Sequence, residues 1–282
     1  MLSIGGMTQF TTIDYPGELS AVVFLAGCVW KCKYCSNPGL LEFRAANEND
    51  AENWDYILEF LEKRKRALGA VVFSGGEATA QADDLVRAIE QIRAVSAHYK
   101  IGIHTNGALP EKLRVLLPLV DWVGLDVKTG ANGYDELVGA QGAWNRVCES
   151  LEMLVGWGKS NHPAACGGTP PPLGGNSTTP SASQTPLRQR RGLLSETQAK
   201  GNYKFEVRTT IDPRVDTKDS ILELARVLAG KGVKNYALQR LRAVGLAESE
   251  GAELGARSAE FFQDAEFLGK VGELFDGFVV RN

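Results

Sequence analysis

Cys28, Cys32 and Cys35 stand in a C-x3-C-x2-C pattern within GCVWKCKYCSNP, residues 27–38, directly after an apolar run at residues 21–26 that reads as a buried strand. Cysteine thiolates are the ligands of iron–sulfur clusters and of zinc, and a purely structural site normally has four protein ligands. No fourth cysteine is local, because Cys148 and Cys166 lie far along the chain, as do His98 and His104. Two chemistries stay open on these residues alone. A zinc-binding or electron-transfer module would need a remote fourth ligand. A [4Fe–4S] cluster on three thiolates would leave one iron free for a small molecule, just as an open position makes a zinc site catalytic.

Other groups that could complete such a site recur after the remaining apolar runs. Runs at residues 70–74, 101–104, 122–127, 204–210 and 235–238 read as strands. Between them lie segments with apolar residues at helical spacing: Ile57, Leu58, Leu61 and Leu68; Leu85, Ile89 and Ile92; Trp144, Val147, Leu151 and Leu154. Shorter helices are expected at 111–117 and 221–228, and a final one carries Phe261, Phe262, Phe267 and Leu268. A turn at 13–17, IDYPG, precedes the first strand, and an apolar end at 278–280 closes the chain. This alternation implies about six parallel βα units, which gather functional groups at the carboxyl ends of their strands. The residues expected on that rim are the cysteine loop, Gly75-Gly76-Glu77, Thr105-Asn106-Gly107, Asp126-Val127-Lys128, Arg208 and Gln239-Arg240.

The chain has 282 residues, 44% of them hydrophobic, and a formal net charge of −3. That charge gives no general pull toward nucleic acid or an anionic membrane surface. No apolar run approaches the ~18 residues of a membrane span, and the first ten residues lack the pattern of a signal peptide, so a cytoplasmic protein is expected. In that reducing compartment an odd total of five cysteines favours metal binding over disulfides. Residues 160–201, rich in Pro, Gly, Ser and Thr, read as a disordered insertion within a single domain spanning 1–282. Arg188, Arg190, Arg191 and Cys166 inside it read as solvated residues, and Cys148 reads as a small hydrophobe in a helix.

The segments IGGMTQFTTIDYPG, AVVFLAGC, YCSNP, VVFSGGEAT and HTNG resemble the radical S-adenosylmethionine enzymes. More narrowly, they resemble the activating proteins of anaerobic ribonucleoside-triphosphate reductases, a branch of the glycyl radical enzyme activases. The resemblance implies a partial parallel (β/α)6 barrel with a [4Fe–4S] cluster on Cys28, Cys32 and Cys35, whose open iron is chelated by S-adenosylmethionine. It implies reductive cleavage of that cofactor and a glycyl radical installed on a partner reductase, with a reductant such as flavodoxin or ferredoxin. An activase of a formate-lyase-type enzyme, or a small-molecule enzyme of the same mechanism, is the alternative.

The cofactor-binding residues implied are Tyr34 near the adenine, Gly75 and Gly76 approaching the amino group, Glu77 complementing its charge, and Thr105 and Asn106 at the ribose. Asp126 and Lys128 would contact the cofactor or a peptide substrate, and Arg208 the methionine carboxylate. Three residues depart from the family pattern: Ser36 stands where relatives commonly have His, Ala78 where they have Pro, and His104 where some have an Asp. No nucleic-acid or membrane partner is implied.

Overall fold

The structure, a computed structural model, describes residues 1–159, 203–241 and 248–281. The expected insertion at 160–201, with Cys166 and the arginines, lies outside the described residues. Its framework is one eight-stranded sheet in sequential order: β1 (Ile4–Thr11), β2 (Ser20–Leu25), β3 (Ala70–Gly75), β4 (Lys100–Thr105), β5 (Trp122–Asp126), β6 (Phe205–Ile211), β7 (Asn235–Arg240) and β8 (Gly277–Arg281). The strands from β2 to β8 pair in parallel, and β1 joins β2 antiparallel. All six expected strands are present. The apolar end adds β8, and β1 was not foreseen, because Gly5 and Gly6 interrupt its alternation and its register with β2 slips near Ile4 and Gly6.

The helices are α1 (Glu48–Arg64), α2 (Ala82–Val95), α3 (Pro110–Leu116), α4 (Tyr134–Val138), α5 (Ala143–Lys159), α6 (Lys218–Gly230), α7 (Glu248–Gln263) and α8 (Ala265–Gly272). The single final helix expected is thus two, divided at Asp264, whose carboxylate accepts the Phe267 N–H at 2.9 Å and starts α8. The first helix begins before its apolar stripe does, because Asn47 and Asp50 form a reciprocal cap at Glu48.

Strand alternation gives the sheet two unlike faces. Val23, Leu25, Val71, Phe73, Ile101, Ile103, Val123, Leu125, Val207 and Leu238 face the helices in one continuous core. The opposite face starts apolar, with Val22, Val72 and Trp122 packed around Tyr15 of the β1–β2 connection. Further along it becomes charged, carrying His104, Asp126, Glu206, Arg208 and Arg281. Burying an apolar side chain contributes about 1.5–3 kcal/mol, so the helix-facing core holds the sheet together and leaves the second face free for polar groups.

Candidate active site

Parallel pairing brings the carboxyl ends of β2 to β5 to one edge, with Leu25 beside Gly75 and Thr105 beside Leu125. The cysteine loop leaves β2 there and is tied down at several points. Gly27 and Cys28 donate their N–H groups to Leu40 and Leu41 at 2.8 and 3.0 Å. Lys31 and Lys33 donate theirs to Val138 and Leu137 of α4 at 2.9 and 3.0 Å. Trp30 meets Tyr134 edge-on, with ring centroids 5.8 Å apart. Asn37 donates its side-chain N–H to the Gly75 carbonyl at 3.2 Å, joining the loop to the next strand end. Asn37 and Tyr134 were not foreseen; Asn37 lay within the quoted YCSNP, but α4 is only one short turn between Gly133 and Gly139.

Cys28, Cys32 and Cys35 are all free thiols, the first buried and the other two half-buried. Burial pushes the Cys28 thiol up to about 12. Iron would have to displace that proton, as metal binding to cysteine generally does. Among the described residues no three Cys, His, Asp or Glu side chains are already gathered about one ion. The donor set nonetheless fits an iron–sulfur cluster: three soft sulfur ligands on one loop whose backbone is hydrogen-bonded in place, leaving the thiols to turn together.

The two glycines at the end of β3 pack closely against neighbouring backbone. Gly75 has φ +116°, and a Cβ there would come within 2.3 Å of the Leu25 backbone; one on Gly76 would come within 2.4 Å of the Gly27 carbonyl. The close approach they permit is therefore to β2 and the cysteine loop. Glu77, expected to face the cofactor's amino group, is turned inward and 1% exposed. Its Oε1 accepts from Thr79 N, Thr79 Oγ1 and Thr105 Oγ1 at 3.0, 2.6 and 2.7 Å, and its Oε2 accepts from Asn106 N at 2.7 Å. Burial raises its carboxyl above the ordinary range, and these hydrogen bonds oppose that. Glu77 thus joins the ends of β3 and β4, and Thr105 and Asn106 are part of that joint.

Asp126 and Lys128 come together with Arg208 on the second face. Arg208 Nε donates to Asp126 Oδ1 at 2.9 Å, and Lys128 Nζ donates to Asp126 Oδ2 at 3.0 Å. Burial alone would raise the Asp126 carboxyl, but the two cations hold it well below the usual range. Burial would likewise depress Lys128, and Asp126 more than reverses this. Lys128 Nζ also lies 5.7 Å from the centre of the Tyr34 ring. That ring is buried with Leu137, Leu241 and Leu254, and its hydroxyl has no hydrogen-bond partner among the described residues. His104 donates from Nε2 to the Asp14 carbonyl at 2.9 Å and packs edge-on against Trp122. Ser36 is exposed.

A largely parallel sheet with an anchored three-thiol loop at its carboxyl edge and a charged face beside it defines an α/β protein with a thiol site at its strand ends. The chain belongs to the radical SAM superfamily, whose family model matches residues 22–166. Over 163 residues it is 31% identical to a protein of Methanocaldococcus jannaschii named as a glycyl-radical enzyme activating enzyme, covering 56% of this chain and 64% of the relative. It is also 31% identical over 123 residues to the pyruvate formate-lyase-activating enzyme of Listeria monocytogenes, covering 42% of this chain and 49% of that one. The chain thus matches between about half and two thirds of these relatives' length, and the resemblance to glycyl radical enzyme activases holds.

Solved structures share the fold at low identity. Native anSMEcpe with bound AdoMet has a TM-score of 0.56 at 12% identity, covering 91% of this chain and 62% of that one. Streptococcus suis SuiB bound to its precursor peptide SuiA has a TM-score of 0.54 at 17% identity, covering 93% and 48%. Among the described residues no helix is long and apolar enough to cross a membrane.

Proposed function

We propose that this protein is the activating enzyme of an anaerobic ribonucleoside-triphosphate reductase, with Cys28, Cys32 and Cys35 holding a [4Fe–4S] cluster. The observation that carries the reading is the free three-thiol loop, anchored at the same sheet edge as the Asp126, Lys128 and Arg208 group. Held by Cys28, Cys32 and Cys35, the cluster would supply the one-electron reductive chemistry that cleaves S-adenosylmethionine and makes removal of a hydrogen atom from a partner glycine possible. The chain's own residues do the rest. Gly75 and Gly76 offer backbone to the cofactor beside the cysteine loop. Arg208 and Lys128, which share the single Asp126 carboxylate and so keep a net positive charge, present donors to the methionine carboxylate. Thr105 and Asn106 lie at the next strand end, toward the ribose, and Tyr34 supplies backbone near the adenine. A cytoplasmic flavodoxin or ferredoxin is the fitting reductant. The matched formate-lyase activase supports a second reading, in which the same chemistry serves a formate-lyase-type partner.

The experiment has two stages. Anaerobically reconstituted protein should hold about four irons per chain and release 5′-deoxyadenosine once reduced with S-adenosylmethionine. Mixed with the reductase it should give the glycyl electron-paramagnetic-resonance doublet. Stoichiometric zinc without cofactor cleavage would sink the enzyme reading, and a doublet on the formate-lyase type alone would select the second one. Cys32→Ala should abolish both cleavage and radical formation.

A further inference from the structure

Asn106, in the turn after β4, is 7% exposed, and its backbone N–H is fixed on Glu77 Oε2 at 2.7 Å. The orientation of its side-chain amide follows from hydrogen-bonding capacity. The buried Ala108 N–H requires an acceptor, and it donates to Asn106 Oδ1 at 2.9 Å. That turns the NH2 end toward the cysteine loop, where Nδ2 lies 3.5 Å from Cys28 Sγ. Cys28 is the most buried of the three thiols, so water competes least with donors at this position.

We propose that Asn106 is a positioning residue for the ligand Cys28, donating an N–H to its sulfur and thereby setting how readily the cluster is reduced. This rests on the cysteine loop being the cluster site. A neutral thiol is a weak acceptor, and a metal-bound thiolate a stronger one, so the hydrogen bond gains strength when the cluster is in place. Reduction adds negative charge to the cluster and its sulfurs. A donor aimed at one of them stabilises the reduced state more than the oxidised one and raises the potential, as hydrogen bonds to cluster sulfurs do. Glu77 acts one step further back by holding the Asn106 backbone, and Thr79 and Thr105 hold Glu77.

The test is a redox titration of the reconstituted protein without S-adenosylmethionine, followed by electron paramagnetic resonance, on the parent, Asn106→Leu and Asn106→Asp. Leu keeps the bulk and removes the donor. Asp keeps an acceptor for Ala108 and replaces the donor by oxygen. Both variants should bind iron as the parent does and titrate at a more negative potential. At a fixed applied potential the reduced-to-oxidised ratio should fall roughly two- to tenfold for Leu, the equilibrium equivalent of one hydrogen bond, and further for Asp. Parent-like potentials in both variants would overturn the proposal. Loss of the cluster from both would overturn it too, because Asn106 would then be needed only to hold the loop. A parent protein that binds no iron–sulfur cluster would instead defeat the reading of the site itself.

Discussion

His104 and Asp50 make the protein sensitive to acid in two separate windows. Burial first, and Arg208 second, push the His104 imidazole from 6.5 down to about 4. As pH falls between those values the unfolded chain takes up a proton that the folded one refuses, so stability falls across that window and levels off below it. Asp50 is held from 3.8 down to about 2, chiefly by the Arg44 guanidinium, with the Ile4 and Asn47 N–H groups adding to it. Its contribution is complete above its ordinary value and is lost as pH falls toward 2. Urea midpoints measured against pH should therefore separate the two. The His104→Gln curve should be flatter than the parent's between 6.5 and 4, and the Asp50→Asn curve flatter only below 4. At neutral pH Asp50→Asn should cost about 1.5–3 kcal/mol, the range for hydrogen bonds to a charged group. Parallel curves for parent and variant would show that the residue titrates alike folded and unfolded.

At the scale of elements, α4 braces the cysteine loop. It accepts the Lys31 and Lys33 N–H groups, its Tyr134 ring meets Trp30, and the Tyr134 hydroxyl accepts the Lys128 N–H at 3.3 Å. One side chain thus touches both the loop and the DVK segment. Tyr134→Ala should cost about 3–5 kcal/mol, as removal of a buried aromatic does, and should strip exchange protection from the Lys31 and Lys33 amides. Tyr134→Phe keeps the packing, and loses only about 0.5–1.5 kcal/mol with one hydrogen bond, so those amides should stay protected. Equal protection in parent and Tyr134→Ala would separate α4 from the loop. Little of this brace was legible beforehand. Five helical residues make too short a stretch for hydrophobic periodicity to register. The strands from β2 to β7 were legible, because each is an apolar run buried by helices on one face. Their alignment then put the cysteines, GGE, TNG and DVK on one edge. What the pattern could not show was the direction of each side chain: Glu77 pointing inward and the Asn106 amide facing Cys28 depend on backbone placement two or three residues away.

For the molecule as a whole, the question is whether the sheet and its site need residues 160–202. The described chain on either side of that segment meets itself. Lys204 Nζ reaches the Trp157 carbonyl at 3.5 Å and lies 5.1 Å from the centre of the Trp157 ring, and a Cβ on Gly158 would stand 3.0 Å from the Phe205 ring. The end of α5 is therefore already at the start of β6, whose pairing with β5 runs from Phe205 to Arg208. A linker of about six Gly and Ser residues can span such a junction, at ~3.3 Å per residue when extended. Each halving of a flexible loop saves about 0.6 kcal/mol of closure entropy, so replacing the segment by that linker should leave stability equal or raise it by about 1–2 kcal/mol. Iron content after reconstitution should be unchanged, because every residue assigned to the site lies in the sheet edge and the loops that this junction leaves intact. Thermal denaturation and iron analysis of the shortened protein check both statements. A lower melting temperature or a missing cluster would show that the segment packs against the core or supplies a ligand, Cys166 being the residue to replace next.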